Sequence, residues 1–176
     1  MSRAFATWLG TAVCLIAAAC GGSVELDHAG GGLAKATIAG RSFDVNNVKI
    51  TLQTGEDGYF RIEGDDAANP NKDCLPGLPG GLALYGDIPP TITSLADLKG
   101  QELGFEFSGD GDDANLCFVG SNGLLGVEKG TVQFTAVDGR RVTFAFSGSF
   151  TVYDGSGGES STPVNATGAG TAQADK

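Results

Sequence analysis

Thr131-Val132-Gln133-Phe134-Thr135-Ala136-Val137-Asp138-Gly139-Arg140-Arg141-Val142-Thr143-Phe144-Ala145-Phe146-Ser147-Gly148-Ser149-Phe150-Thr151-Val152-Tyr153 decides the fold class. Val132, Phe134 and Ala136 alternate with Thr131, Gln133 and Thr135. Val142, Phe144, Phe146, Phe150 and Val152 then fall at even positions, with Arg141, Thr143, Ala145, Ser147, Ser149, Thr151 and Tyr153 on the other phase. Strict alternation sends one side chain to a core and the next to water, which is the mark of a half-buried strand. Asp138-Gly139 between the two runs reads as a tight hairpin turn of type I′. Gly148 shares the phase of the phenylalanines, so the spacing predicts one long strand, bent or bulged at Gly148 where a side chain is absent.

The same period of two recurs upstream. Ala36 and Ile38, then Phe43 and Val45, then Val48, Ile50 and Leu52 alternate with polar or small residues. Thr54-Gly55-Glu56-Asp57-Gly58 is a turn, and Phe60 and Ile62 continue as the returning strand. Leu82 to Tyr85 is a short strand ended by Gly86 and Pro89-Pro90. Leu103, Phe105 and Phe107 form another, and Leu116 to Val119 a further one. Ser94 to Gly100 opens on a capping-box serine and closes on a glycine, which predicts one or two helical turns. Gly64 to Gly81 has almost no apolar run and reads as a crossover between sheets or a binding loop. Residues 155–176 are rich in Gly, Ser and Thr and are expected to be a disordered tail or a weak edge strand. Nothing repeats at a fixed period. Glycine is abundant, 29 of 176 residues, which argues against long helices and for many turns. The sum predicts an all-β protein, a single antiparallel β-sandwich or flattened barrel over residues 36–154.

The N-terminus has a separate logic. Met1-Ser2-Arg3 is a short basic segment, and Ala4 to Ala19 carries no charge. Ala17-Ala18-Ala19 precedes Cys20, and Gly21-Gly22-Ser23 follows. The apolar run is shorter than the roughly 20 residues a membrane helix needs. These features have the layout of a secretory signal peptide. Residues 1–23 resemble the lipobox-type leader of bacterial lipoproteins. The resemblance implies that residues 1–19 are removed and that Cys20 carries acyl chains, palmitate among them, that hold the protein to a lipid bilayer. Each buried CH₂ contributes about 0.8 kcal/mol, so several chains anchor stably. Gly21 follows the cysteine rather than Asp, which implies the outer membrane of a bacterial envelope, on its periplasmic or surface side. Ordinary cleavage at the same bond, releasing a soluble protein, is the alternative. Residues 20–35 then form a flexible tether with His28 in it, reaching roughly 20 Å.

Compartment sorts the four cysteines. Cys14 leaves with the leader and Cys20 takes lipid, so Cys74 and Cys117 remain to pair in an oxidising environment. Closing that loop contributes about 4 kcal/mol in the chain-entropy treatment. A two-cysteine metal site needs further ligands, and His28 is the only histidine. The chain carries 11 basic and 21 acidic residues, a net charge of −10, and becomes one unit more acidic once Arg3 is removed. That balance disfavours nucleic acid and anionic headgroups, leaving bilayer contact to the acyl chains.

Few constellations carry chemistry. With His28 on the tether and no Gly-x-Ser-x-Gly, nucleophilic hydrolysis by the usual groups is disfavoured. A carboxylate-based hydrolase is the third-ranked function. No cofactor is expected, with Ca²⁺ as the exception to consider. Asp110-Gly111-Asp112-Asp113-Ala114-Asn115 offers alternating oxygen ligands, with Asp110, Asp112, Asp113 and Asn115 as the candidate set. The EF-hand pattern fails at Ala114, Asn115 and Ser121, so such a site would be of another kind, helped by Asp65, Asp66 or Asp73. The bland reading is a solvated acidic turn. Tyr59, Tyr85 and Tyr153 are the only tyrosines, and a patch of them would mark a binding surface. The expected function is a lipid-anchored, non-enzymatic binding or structural module, with a Ca²⁺-dependent or glycan-binding module as the alternative. Its protein or glycan partner is left open.

Overall fold

The computed structural model describes residues 31–106, 114–120, 123–153 and 163–175. Its strands are β1 (Gly32–Ile38), β2 (Arg41–Gln53), β3 (Tyr59–Asp66), β4 (Asp73–Leu75), β5 (Leu78–Pro79), β6 (Gly81–Asp87), β7 (Glu102–Glu106), β8 (Asn115–Cys117), β9 (Leu124–Asp138), β10 (Arg141–Tyr153) and β11 (Val164–Ala174). The main sheet runs β10-β11-β1-β2-β3-β6-β8-β9, and β9 pairs back onto β10. The protein is therefore all-β, and the sheet closes into an eight-stranded antiparallel barrel, with β4 and β5 as a separate small hairpin. β7 and β8 share one position in the wall. β8 pairs with the start of β9 at Gly126 and Leu125, and β7 pairs further along, from Lys129 to Gln133. One short parallel contact occurs where β11 runs past the start of β1 and pairs Gln173 and Ala174 with Lys49 and Ile50. Closure pairs β9 with β10 and leaves the five-residue β7, bonded to β9, as a short edge among the described residues, and short edges limit edge-to-edge aggregation.

The Asp138–Gly139 region is a hairpin, but its frame is shifted. Asp138 pairs with Arg141, so Gly139 and Arg140 are the two central residues. Positive φ occurs only at the first of them, Gly139 at 57°, which is the pattern of a type II′ turn rather than type I′. The expected bulge at Gly148 also moves. β10 keeps an unbroken register against β11 from Arg141 to Phe150. The extra residues are in β9 instead, at Thr135 and at Glu128. Each bulge flips the phase of the strand, so Val132 and Phe134 face inward, Ala136 is exposed, and Val137 packs on the core. β2 does the same at Asn47, whose φ is 53°. There Val45 and Val48 both face inward although three positions apart.

Six phenylalanines, Phe60, Phe105, Phe118, Phe134, Phe144 and Phe150, are fully buried. An eight-stranded barrel is just wide enough for side chains to fill. Room for the rings comes from glycines inside strands. A Cβ at Gly130 would overlap the Phe105 ring, one at Gly168 would overlap Phe146, and one at Gly86 would lie 2.8 Å from Phe60. Glycine is thus a packing residue here as well as a turn residue. The same logic governs β11. Its inward phase is Val164, Ala166, Gly168, Gly170, Ala172 and Ala174, small because the large rings of β10 stand beside it. Residues 164–174 pair on both sides, with β10 and β1, so they are neither a tail nor an edge strand. β1 begins at Gly32, inside the stretch read as tether. The Gly64–Gly81 segment joins β3 to its hydrogen-bonded neighbour β6, so it is a long hairpin excursion, not a crossover between sheets.

One end of the barrel holds that excursion, the β1–β2 turn and the segment after β8. The other end holds the β2–β3 turn and a single 3₁₀ turn, Leu95–Leu98, which buries Leu98. Asp97 Oδ2 accepts hydrogen bonds from the amides and hydroxyls of Thr93 and Ser94 at 2.9–3.0 Å. The Thr93 amide, then the two hydroxyls, hold the Asp97 carboxyl below its ordinary range. In the β1–β2 turn Ala39 and Gly40 both have positive φ, 47° and 80°, the type I′ pattern. An alanine there is strained by about 1 kcal/mol, whereas Asn tolerates the conformation. Ala39→Asn is therefore expected to raise the urea midpoint by the equivalent of about 1 kcal/mol with the slope unchanged. A lowered midpoint would show that the turn is not strained.

Candidate binding face

Cys74 of β4 and Cys117 of β8 are joined, with Cα atoms 5.7 Å apart. The bridge ties the β3–β6 excursion to the wall at one end of the barrel. Asp66 reinforces it. It lies on the inward phase of Phe60, Ile62 and Gly64 and is only 2% exposed, the one charged residue buried among those described. Its carboxylate accepts from Ala68 N at 3.0 Å, Asn69 Nδ2 at 3.3 Å and, across the barrel end, Val119 N at 3.0 Å. An acidic residue on a core phase was the sequence signal for this clamp.

Of the candidate calcium set, only Asn115 and the supporting residues Asp65, Asp66 and Asp73 lie among the described residues. Asp110, Asp112 and Asp113 lie outside the described residues, as do His28 and Cys20. Asn115 starts β8 and pairs with Ala83 and Gly126. Asp65 accepts from Asn47 Nδ2 at 2.9 Å and Asp73 from Gly77 N at 2.9 Å, while Asp66 serves the three donors above. Asp65, Asp66 and Asp73 thus each accept from local donors. Among the described residues no three His, Cys, Asp or Glu side chains form a group able to hold a metal.

Two of the three tyrosines do meet. Alternation along β3 and β6 turns Phe60, Ile62, Leu82 and Leu84 inward and Tyr59, Arg61, Glu63, Ala83, Tyr85 and Asp87 outward. In the register Tyr59 opposes Asp87 and Arg61 opposes Tyr85. The Tyr59 and Tyr85 rings are diagonal neighbours, centroids 5.1 Å apart and tilted by 36°, and both are half-buried. Tyr153 is elsewhere, laid over Gly126 of β9, where a Cβ would come within 2.7 Å of its ring.

A groove flanks the pair on each side. One, of about 270 Å³, runs past Arg61, Glu63, Asp65, Ala83 and Asn115 beneath the overhang of Leu78 and Pro79. Arg61 and Glu63 form an ion pair there at 2.9 Å. The other, of about 370 Å³, lies between Tyr85, Asp87 and Lys129 over Gly86, Gly104 and Gly130. Gly104 keeps that floor low: a Cβ there would meet nothing closer than 3.9 Å. A face with an aromatic centre and polar grooves can hold an amphipathic ligand by stacking and hydrogen bonding.

Comparison of the chain with protein-family models, with curated proteins and with solved structures finds no match. Function therefore has to be argued from the chain's own residues. Among the described residues no helix is long and apolar enough to cross a membrane.

Proposed function

We propose that the protein is a lipid-anchored lipoprotein of a bacterial envelope whose barrel is a non-enzymatic binding module. The observation that carries the anchor is the Ala17-Ala18-Ala19-Cys20 sequence at the end of an uncharged run. The Cys74–Cys117 bridge supports it, because such bonds persist in oxidising compartments. Gly21 after the acylated cysteine favours the outer membrane. The binding role is supported by the barrel's outer wall. Its interior is occupied by phenylalanine side chains, and the β3–β6 face offers the tyrosine pair with a groove on either side. Among the described residues there is no histidine, and both cysteines are bonded.

Cys20→Ser tests the anchor directly. The wild-type chain is expected to fractionate with membranes and to incorporate labelled palmitate. The variant is expected to lose the label and appear in the soluble fraction. A variant that stays with the membrane removes the acyl anchor from the proposal. A soluble wild-type chain beginning at Cys20 means ordinary secretion.

A further inference from the structure

We propose that the Tyr59–Tyr85 face binds an uncharged oligosaccharide chain, stacked on the two rings and extending into both grooves. The inference rests on the reading of the barrel as a binding module and names what the module binds. A pyranose ring has an apolar C–H face and a rim of hydroxyls. The Tyr59 and Tyr85 rings supply a stacking surface, and tyrosine offers it at low entropic cost because the side chain has few torsions. The grooves supply hydroxyl partners of both kinds. Arg61 and Lys129 donate, and Glu63 and Asp87 accept.

Charge selects among sugars. Arg61 is paired with Glu63 in one groove, and Asp87 and Lys129 line the other together. Asp65, which also lines the first groove, adds negative charge, and the whole chain carries −10. An acidic polysaccharide would be repelled, and no excess of positive charge is present to hold one. Length follows from placement. Tyr85 lines the second groove, and its cross-strand partner Arg61 lines the first, so the two grooves approach each other across this residue pair beside Tyr59. A chain of several sugars spans that surface better than a single one. Glycine at position 104 is part of the design, since any side chain there would stand in the second groove.

The test uses the full mature chain in detergent, with cellohexaose and N-acetylchitohexaose as neutral probes and oligogalacturonate as the acidic control. Trp8 is the only tryptophan and lies in the leader, so tyrosine emission reports binding and two of the three tyrosines are in the site. At least one neutral hexasaccharide is expected to change that emission saturably, with no response to the acidic control. Tyr59→Ala and Tyr85→Ala should each weaken binding at least tenfold, and Tyr153→Ala should leave it unchanged. Gly104→Leu, whose Cβ would meet nothing closer than 3.9 Å, should abolish binding while thermal unfolding stays as in the wild type. Calorimetric titration of each variant supplies a readout that does not depend on tyrosine. Absence of binding to both neutral sugars overturns the proposal, as does binding that survives Gly104→Leu. If a polypeptide instead crosslinks to this face and Gly104→Leu blocks it, the glycan assignment is wrong and the binding module stands.

Discussion

Replacing Cys74 and Cys117 together with alanine is expected to destabilise the barrel by about 4 kcal/mol. The bridge spans 43 positions of sequence, enclosing β6, β7 and the 3₁₀ turn, so its loss releases a large loop in the unfolded chain. Cys117 is fully buried, and its truncated side chain would add a small packing loss. The measurement is urea unfolding of the wild type, of the double variant, and of the wild type in excess reductant. The reduced wild type and the variant should fall close together, well below the oxidised protein. A shift under 1 kcal/mol in both would mean that the excursion is held by its other contacts and that the bridge is redundant.

Asp66→Ala is the second large effect. Its carboxylate is the acceptor for Ala68 N, Asn69 Nδ2 and Val119 N. Removing it leaves three part-buried donors without their acceptor, and each unsatisfied buried group costs about 1–3 kcal/mol. A loss of about 3 kcal/mol or more is expected, with Asp66→Asn restoring part of it through its one carbonyl oxygen. Amide exchange should rise at Val119 and Ala68 before it rises in β10. Unchanged exchange at Val119 would show that the hydrogen bond across the barrel end has no structural weight. Asp66 and the disulfide secure the same excursion, so their effects should not add, and a double-mutant cycle reads that coupling.

Alternation made most strands legible, because a half-buried strand writes its burial into every second residue. The phase jumps were legible too, though easily read as gaps. Val45 to Val48, Val127 to Gly130 and Phe134 to Val137 each mark a bulge, and the bulges keep β2 and β9 continuous over 13 and 15 residues. Residues 124–130 carry no clean alternation for the same reason. Closure was not legible, since it depends on β9 pairing with β8 and β10 at once, a long-range register that no local pattern encodes. β11 was ambiguous because its small inward residues make sense only beside Phe144, Phe146 and Phe150. Of the site, the tyrosines were visible as residues. That Tyr59 and Tyr85 meet while Tyr153 does not follows from the β3–β6 register, which the length of the intervening excursion conceals.

The rings seated on glycines make these positions partners in sequence drift. Phe146 and Gly168 are 22 places apart, yet they fill one space between them. A Cβ gained at 168 would meet both the Phe146 ring and the Lys35 carbonyl, so it requires a smaller residue at 146 together with a shift of β1, and the Phe105 ring and Ser147 carbonyl stand in the same relation to Gly130. Related chains, as they diverge, should therefore exchange volume between strands at these pairs while keeping their sum, so that a leucine at 146 is accompanied by an alanine at 168. Passenger glycines on exposed turns should vary on their own.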